Sequence, residues 1–591
     1  MKKLLALVLV LAMAFALLAA CADPDTPDEP PATDDPPAVV DDDPPATTNE
    51  DDTPPVATGA TSEFVQPPAN WDEPFDQTVL IRAAAPHGVN WFFEDGDDIG
   101  NSPWTRLWYD ELNVQVEWEF TPVTDEYVTR LQLSIAAGDL PDVFHIPVED
   151  PFMFRNLVSH DMLLDLMPAY QNYASQRIRD FELTDPDTIQ NFIVDGQLFA
   201  LPRYYYGQID QPWHMWVRKD WFEAEGSPEI RTVDDLEDLM HAFIDNHGAA
   251  YGIHVDSDLR WLLRTAPMWG AYIGELADNG YFWRPDETGR LRPGITFPEF
   301  EVALENWARW FDEGLINPDF MTIDQWGDNG VSEVVNARVG IMCWWQWWGW
   351  WGGNNVVVMQ DNYNAYFVPF NLPTVGGTQP ARGQVFWANN GTIAASADFQ
   401  NPAALMKVLS MNDHMVFSPD ANLTPDQLEY FMGNGREHGM SPAFQMIDPQ
   451  ADLLQFQHVL HAMETGDTSE LFTTGMQFKH RDSLHIQEAL AAGQIPEDIN
   501  AFGAYLQMGF DGSAYARSQH LFDTGRIVQT ALWGEIPEEF LEVGATADML
   551  MEAIMLIIIG ARPVSDWPDI IEEWYAQGGQ VKEDAVNRHF G

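Results

Sequence analysis

The sequence predicts an α/β protein of two lobes, each built on a mostly parallel sheet flanked by helices and joined by crossing hinge segments. Three observations predict it. A chain of 591 residues is too long for one hydrophobic core and long enough for two. From residue 78 onward, short extended runs alternate with helical-period runs in strand–helix–strand order, the pattern of a parallel sheet. Finally, Asp195 to Trp221, DGQLFALPRYYYGQIDQPWHMWVRKDW, sets an extended run on each side of a proline and three tyrosines. An extended run, an aromatic break and a second extended run are how a chain leaves one lobe and starts another.

The N-terminus reads as a secretion signal over residues 1–20. Lys2 and Lys3 precede an apolar run from Leu4 to Leu18, and small residues then precede Cys21. Leu18-Ala19-Ala20-Cys21 looks like a bacterial lipobox, with cleavage before Cys21 and lipid on its thiol, which anchors the protein without a membrane span. The other cysteine is Cys343, so the mature chain has no partner for an intramolecular disulfide. Residues 22 to 75 are Pro, Asp, Thr and Ala with almost no apolar clusters, too little to fold on. Prolines and like charges extend such a tether, and about fifty residues reach on the order of 150 Å.

The folded part is expected to open with a strand at Thr78–Arg82, a helix over Trp104–Asn113 and a strand over Val114–Trp118. A helix over Glu126–Ala137 ends at Gly138, and Asp139-Leu140-Pro141-Asp142 turns into an apolar strand that carries Phe144 and His145. Beyond the crossing, Thr232 caps a helix to Ile244 with acids in its first turn. Another helix spans Phe300–Gly314. Asn336–Met342 is a turn into a strand, followed by the run Trp344-Trp345-Gln346-Trp347-Trp348-Gly349-Trp350-Trp351. Phe367–Pro369, Val385–Trp387 and Gly391–Ala395 read as strands, the last leading to a helix over Ala404–Ser410. Ala553–Ile559 is too short to cross a membrane and reads as a buried helix.

In order along the chain, AAGDLPDVF at Ala136–Phe144, the Asp195–Trp221 crossing, and the pieces Val368–Gly377 and Gly391–Leu409 resemble the extracellular solute-binding proteins of bacterial ABC importers. The likeness is to the maltose-binding-protein-like family and its larger members, and it covers roughly Thr78 to Ser410. It implies a periplasmic-binding-protein-like fold of type II. Residues 76–200 with 388–440 would form the first lobe, and 201–387 with 441–591 the second. It also implies hinge closure on a small-molecule solute, a membrane permease as partner, a monomer, no cofactor and no catalysis.

The residues allow that reading and narrow it. With 92 acidic against 29 basic residues the net charge is −63, which repels phosphate backbones and excludes nucleic acid as a partner. No phosphate-cradling, nucleophile-elbow, zinc-protease or paired-cysteine motif occurs. Asp95-Gly96-Asp97-Asp98 fails as a calcium loop because its fifth position is Ile99 and its twelfth Arg106. His458 and His461 lack a third ligand nearby, so no metal is expected.

Twenty-four tryptophans are the positive signal, since indole faces stack on the C–H faces of sugar rings. By resemblance to the strand that supplies a stacking tryptophan in maltose-binding protein, Trp347 is the best match, with Trp344 or Trp345 next. Tyr204 and Tyr206, on one face of an extended segment, are expected at the cleft. Phe144, His145 and Trp91 would come from the first lobe, and Trp269 and Trp387 are further candidates. The expected ligand is an oligosaccharide held by an extracellular, lipid-anchored protein. A peptide or cationic solute is the alternative ligand, drawn by the acidic surface. A surface polysaccharide-acting enzyme and a carbohydrate-binding adhesin are the alternatives outside transport.

Overall fold

Val79–Ala84 is the strand on which the first half of the fold is assembled. The structure is a computed structural model, and it describes residues 70–86, 96–122, 124–146, 151–202, 212–275, 280–324, 328–349, 358–359, 362–385, 392–418, 445–446, 448–531 and 547–590. Val79–Ala84 pairs in parallel with Val114–Phe120 on one side and with Val143–Ile146 on the other. Thr392–Ala395 then runs antiparallel between Val143–Ile146 and Ala200–Pro202 to complete five strands. Ile81, Ala83, Ala84, Val143 and Phe144 have no exposed surface, as strands covered by helices on both faces require.

Local chemistry sets the helix ends. Ser102 and Thr105 form a reciprocal capping box at the start of Pro103–Leu112, and Asn113 closes it at φ 58°. Its buried face, Trp104, Leu107, Trp108 and Leu112, has helical spacing. Trp108 Nε1 donates to Asn412 Oδ1 at 2.7 Å and ties that face to the helix Pro402–Phe417. Thr124–Ala137 ends at Gly138 with φ 67°. The following Asp142 accepts the Arg82 backbone N–H at 2.9 Å, so it braces two parallel strands. Residues 70–75, read from sequence as the end of the tether, are held here. Lys407 Nζ donates to the carbonyls of Asn70 and Glu73, and Phe75 N–H donates to Leu112 O at 3.0 Å.

Asp195 and Gly196, at φ 50° and 81°, make the tight turn between Ile193–Val194 and Gln197–Leu198. Ala200–Pro202 follows, and after the crossing His214–Arg218 becomes the central strand of a second sheet. Its neighbours, Ile341–Trp344 and Phe367–Phe370, both run antiparallel to it. That departs from the parallel layout expected of this half. The chain enters this sheet by a crossing from the other core, not by a helix from an adjacent strand, so the connection that makes neighbours parallel does not act on it. Parallel order resumes one step outward. There Ala250 N–H donates to Arg338 O at 2.7 Å and His254 N–H to Ile341 O at 2.9 Å, so residues 250–254 ascend beside 338–341.

Two large apolar cores have no residue in common. One gathers residues between 81 and 201 with residues between 393 and 446 around the five-stranded sheet. The other gathers residues between 213 and 381 with residues between 486 and 586 around the three-stranded sheet. A small third cluster joins the helices Ala451–Thr465 and Ala514–Asp523. The run expected to be a buried helix is one, Ala547–Ile558. No helix of the described residues is long and apolar enough to cross a membrane.

The second core is tightly packed where Ile341–Trp344 begins. A Cβ on Gly340 would lie 2.5 Å from the Phe243 ring and 2.7 Å from the Trp221 ring. Both rings sit in the interior and cannot retreat. Gly340→Ala is therefore expected to destabilise the protein by about 1–3 kcal/mol, read as a lower denaturation midpoint at unchanged slope.

Candidate ligand-binding site

The tryptophan run turns at the end of the strand Ile341–Trp344, where residues 346–349 form a short 3-10 turn. The turn sorts the indoles by depth. Trp344 has no exposed surface and stacks on Trp261, centroids 3.8 Å apart and planes 17° apart. Trp348 is also buried and lies 4.9 Å from Trp344. Trp345 and Trp347 are half-buried, and stack on each other at 5.0 Å with planes 18° apart. The Trp345 ring also meets Trp213 at 4.3 Å, and its carbonyl accepts Trp216 Nε1 at 3.1 Å. The result is a nearly parallel pair of rings, reaching the surface from a fixed indole base. Gly349 lets the turn approach the helix Ile499–Met508, where a Cβ would lie 3.0 Å from Gly503 O.

Polar groups border this base. The Arg264 guanidinium lies 4.4 Å from the Trp213 ring centroid and is 1% exposed. Because residues 250–254 ascend beside 338–341, Asp256 and Asp258 emerge at the same end of the sheet as Trp344. Asp256 is completely buried, with the Asp258 carboxyl beside its own. Burial first, and then the neighbouring Asp258 carboxyl, push its pKa well above the ordinary carboxylate value. Among the described residues no group of three or more His, Cys, Asp or Glu side chains is placed to hold a metal ion.

The structure brings three of the sequence candidates together, Trp344, Trp345 and Trp347. Trp344 is the floor, and the other two are half-buried. Trp269 is elsewhere, packed at 5.4 Å from Trp310 and 6.2 Å from Trp307 on the helix Pro298–Asp312. Phe144 and His145 are interior to the five-stranded sheet. The His145 backbone is braced by the Tyr127 hydroxyl, which donates to its carbonyl at 2.8 Å and accepts its N–H at 3.0 Å. Tyr204, Tyr206, Trp91, Trp387 and Cys21 lie outside the described residues. Sequence reasoning passed over Trp213, Trp261, Arg264 and Asp256. Trp213 could have been found, since it sits in the crossing directly before its strand. Trp261, in the apolar run Trp261-Leu262-Leu263, carries no local sign of its partner Trp344.

No protein-family model matches the sequence. Among curated proteins, the lipoprotein LipO of Bacillus subtilis is 26% identical over 245 residues, 40% of this chain. That match spans 44% of LipO, less than half of its length. An HMO-binding, ABC-transporter-associated solute-binding protein of Bifidobacterium longum infantis superposes with TM-score 0.57 at 14% identity, covering 87% of this chain and 99% of that one. The alginate-binding protein AlgQ2 gives TM-score 0.53 at 15% identity over 88% and 99%. FusA, an ABC-transporter substrate-binding protein of S. pneumoniae in complex with kestose, gives 0.52 at 12% over 87% and 99%. These are binding proteins by their names, and what the likeness carries to this chain is the fold. The chain has the mixed α/β, periplasmic-binding-protein-like fold of extracellular solute-binding proteins.

Proposed function

We propose that this chain is the solute-binding component of an ABC importer, anchored outside the membrane by lipid on Cys21, and that it captures an oligosaccharide. The observation that carries the reading is the half-buried, stacked Trp345–Trp347 ring pair on a buried indole base. Flat apolar faces beside hydroxyl-binding groups are what a sugar ring requires. The names of the solved proteins with this fold support the same solute class, since they bind HMO, alginate or kestose.

In this reading the two cores are the two lobes, with boundaries near residues 200 and 387 where the chain crosses between them. A sugar that settles on the indole shelf of one lobe gains further contacts only when the other lobe closes on it. That difference in contacts drives closure. The closed form then docks on a permease. No step requires a bond in the solute to be broken.

The test is a thermal-shift and calorimetric screen of the purified chain against di- to tetrasaccharides, peptides and polyamines. An oligosaccharide is expected to raise the melting temperature, with stabilisation near 2.7 kcal/mol at about a hundredfold excess over Kd. No reducing ends should accumulate. A shift from peptides or polyamines with none from sugars would replace the proposed ligand, and turnover of a polysaccharide would replace the proposed function.

A further inference from the structure

In a chain of 92 acidic and 29 basic residues, one place on the second core concentrates positive charge. Gly383–Val385 and Ile527–Gln529 pair in parallel with Gly383 opposite Ile527, and Gly383 N–H donates to Arg526 O at 2.9 Å. The preceding residues, Arg382 and Arg526, therefore stand side by side on one face of the ladder. Among the described residues neither guanidinium has an ion-pair partner, and Arg526 Nε is buried without a hydrogen bond. Gln384 lies two positions beyond Arg382 on the same face. It is 3% exposed, and neither its amide oxygen nor its nitrogen has a partner.

Tyr272 feels the charge of this pair. Its pKa is raised, first by burial, while Arg382, Arg284 and Arg526 all act on it in the opposite sense and Glu299 adds to the rise. Arg284 lies 5.9 Å from the Tyr272 ring and is neutralised by Glu299 at 2.9 Å, so among the described residues the uncompensated pair is Arg382 and Arg526. Burial first, and then Arg382, lower the pKa of Arg526. Pro212, the residue before Trp213, packs on the opposite face of the same two-stranded ladder, where a Cβ on Gly383 would lie 2.5 Å from it. Two adjacent like charges are destabilising unless something neutralises them, and a negatively charged protein has many acids that could have been placed there.

We propose that Arg382 and Arg526, with the Gln384 amide, bind an oxyanion carried on the solute, so that the captured oligosaccharide is acidic. The inference rests on the carbohydrate reading above. Guanidinium forks match carboxylate and sulfate geometry, and their charge-assisted hydrogen bonds are roughly twice as strong as neutral ones. Arg290, by contrast, is already engaged by Glu583 and Asp584 and has no such capacity to spare.

The experiment is calorimetric titration of the full chain at low salt with matched sets of probes. These are neutral gluco- and galacto-oligosaccharides, the corresponding oligoglucuronates and oligogalacturonates, sulfated forms of the neutral set, and sodium sulfate alone. An acidic oligosaccharide is expected to bind at least about tenfold more tightly than its neutral counterpart. Arg382→Gln and Arg526→Gln should each erase that margin and leave neutral affinity unchanged, while Arg526→Lys retains part of it and controls for folding. The uronate and sulfate arms identify which oxyanion is read. Equal or tighter binding of the neutral set, or an undiminished preference in both arginine variants, overturns the inference and leaves the carbohydrate reading standing. If no sugar binds, Arg526-dependent binding of sodium sulfate upholds the oxyanion site while the carbohydrate reading fails; with no such binding both are overturned.

Discussion

Trp347→Ala is expected to remove carbohydrate-induced stabilisation while the far-UV spectrum and the melting temperature of the free protein stay close to the parent. Trp347 is half-buried, and its ring rests on the outer face of Trp345. Truncation thus removes a partly exposed ring, which costs less stability than the loss of a fully buried one. If the ring stacks on a sugar, the loss is that of a central aromatic anchor, about 2–4 kcal/mol, which weakens Kd by roughly 30- to 1,000-fold. Trp344→Ala should do the opposite. That indole is fully buried between Trp261 and Trp348, and its removal leaves a cavity costing about 3–5 kcal/mol of stability. Unaltered binding by Trp347→Ala, with a matching loss in neither variant, would mean that the shelf is not where the solute rests.

The contrast between these neighbours marks what the sequence could and could not tell. Strand and helix positions were readable because each depends on residues close in the chain. Thr232 announced its helix through a capping box with Asp235, and Gly138 announced the end of another. The first strand, its parallel partner and the strand after Asp142 appear where alternation and turn chemistry placed them. Depth within the tryptophan run was not readable. Period-2 alternation stops at Trp344, and the 3-10 turn after it decides which rings face outward. The partners of those rings, Trp213 and Trp261, come from segments about 130 and 80 residues earlier, and no local rule links them. The antiparallel direction of the second sheet was hidden for the same reason, since it follows from how the chain arrives from the other core.

Acid and base should pull the stability of this protein in opposite directions through two buried groups. Asp413 lies in the helix Pro402–Phe417, 3% exposed, with Arg177 Nε 3.0 Å from its carboxylate and Asp448 on the far side of the same guanidinium. Burial is the largest influence, Arg177 opposes it and Asp448 adds to it, and together they push its pKa up to about 7. Between the ordinary aspartate value of 3.8 and about 7, the native state then holds a proton that the unfolded chain has lost. The Asp413 contribution is therefore most favourable at the acid end, and it declines as pH rises through that window. His214 is the reverse case. It is fully buried beside Ser518 at 3.1 Å, and burial, then Arg517, lower its pKa to about 3 against the opposing hydrogen bond from Asn371. Below 6.5 the unfolded chain takes up a proton that the native state refuses, so this contribution is lost as pH falls toward 3. At about 1.4 kcal/mol per unit of pKa difference, each group accounts for a swing on the order of 4 kcal/mol, and in the parent protein the two largely cancel between pH 4 and 6.5. Measured against the parent by urea denaturation, Asp413→Asn should gain stability steadily from pH 4 to 7. His214→Gln should lose relative stability from pH 3 to 6.5. Curves for both variants that run parallel to the parent across this range would show that neither group holds a displaced proton in the folded state.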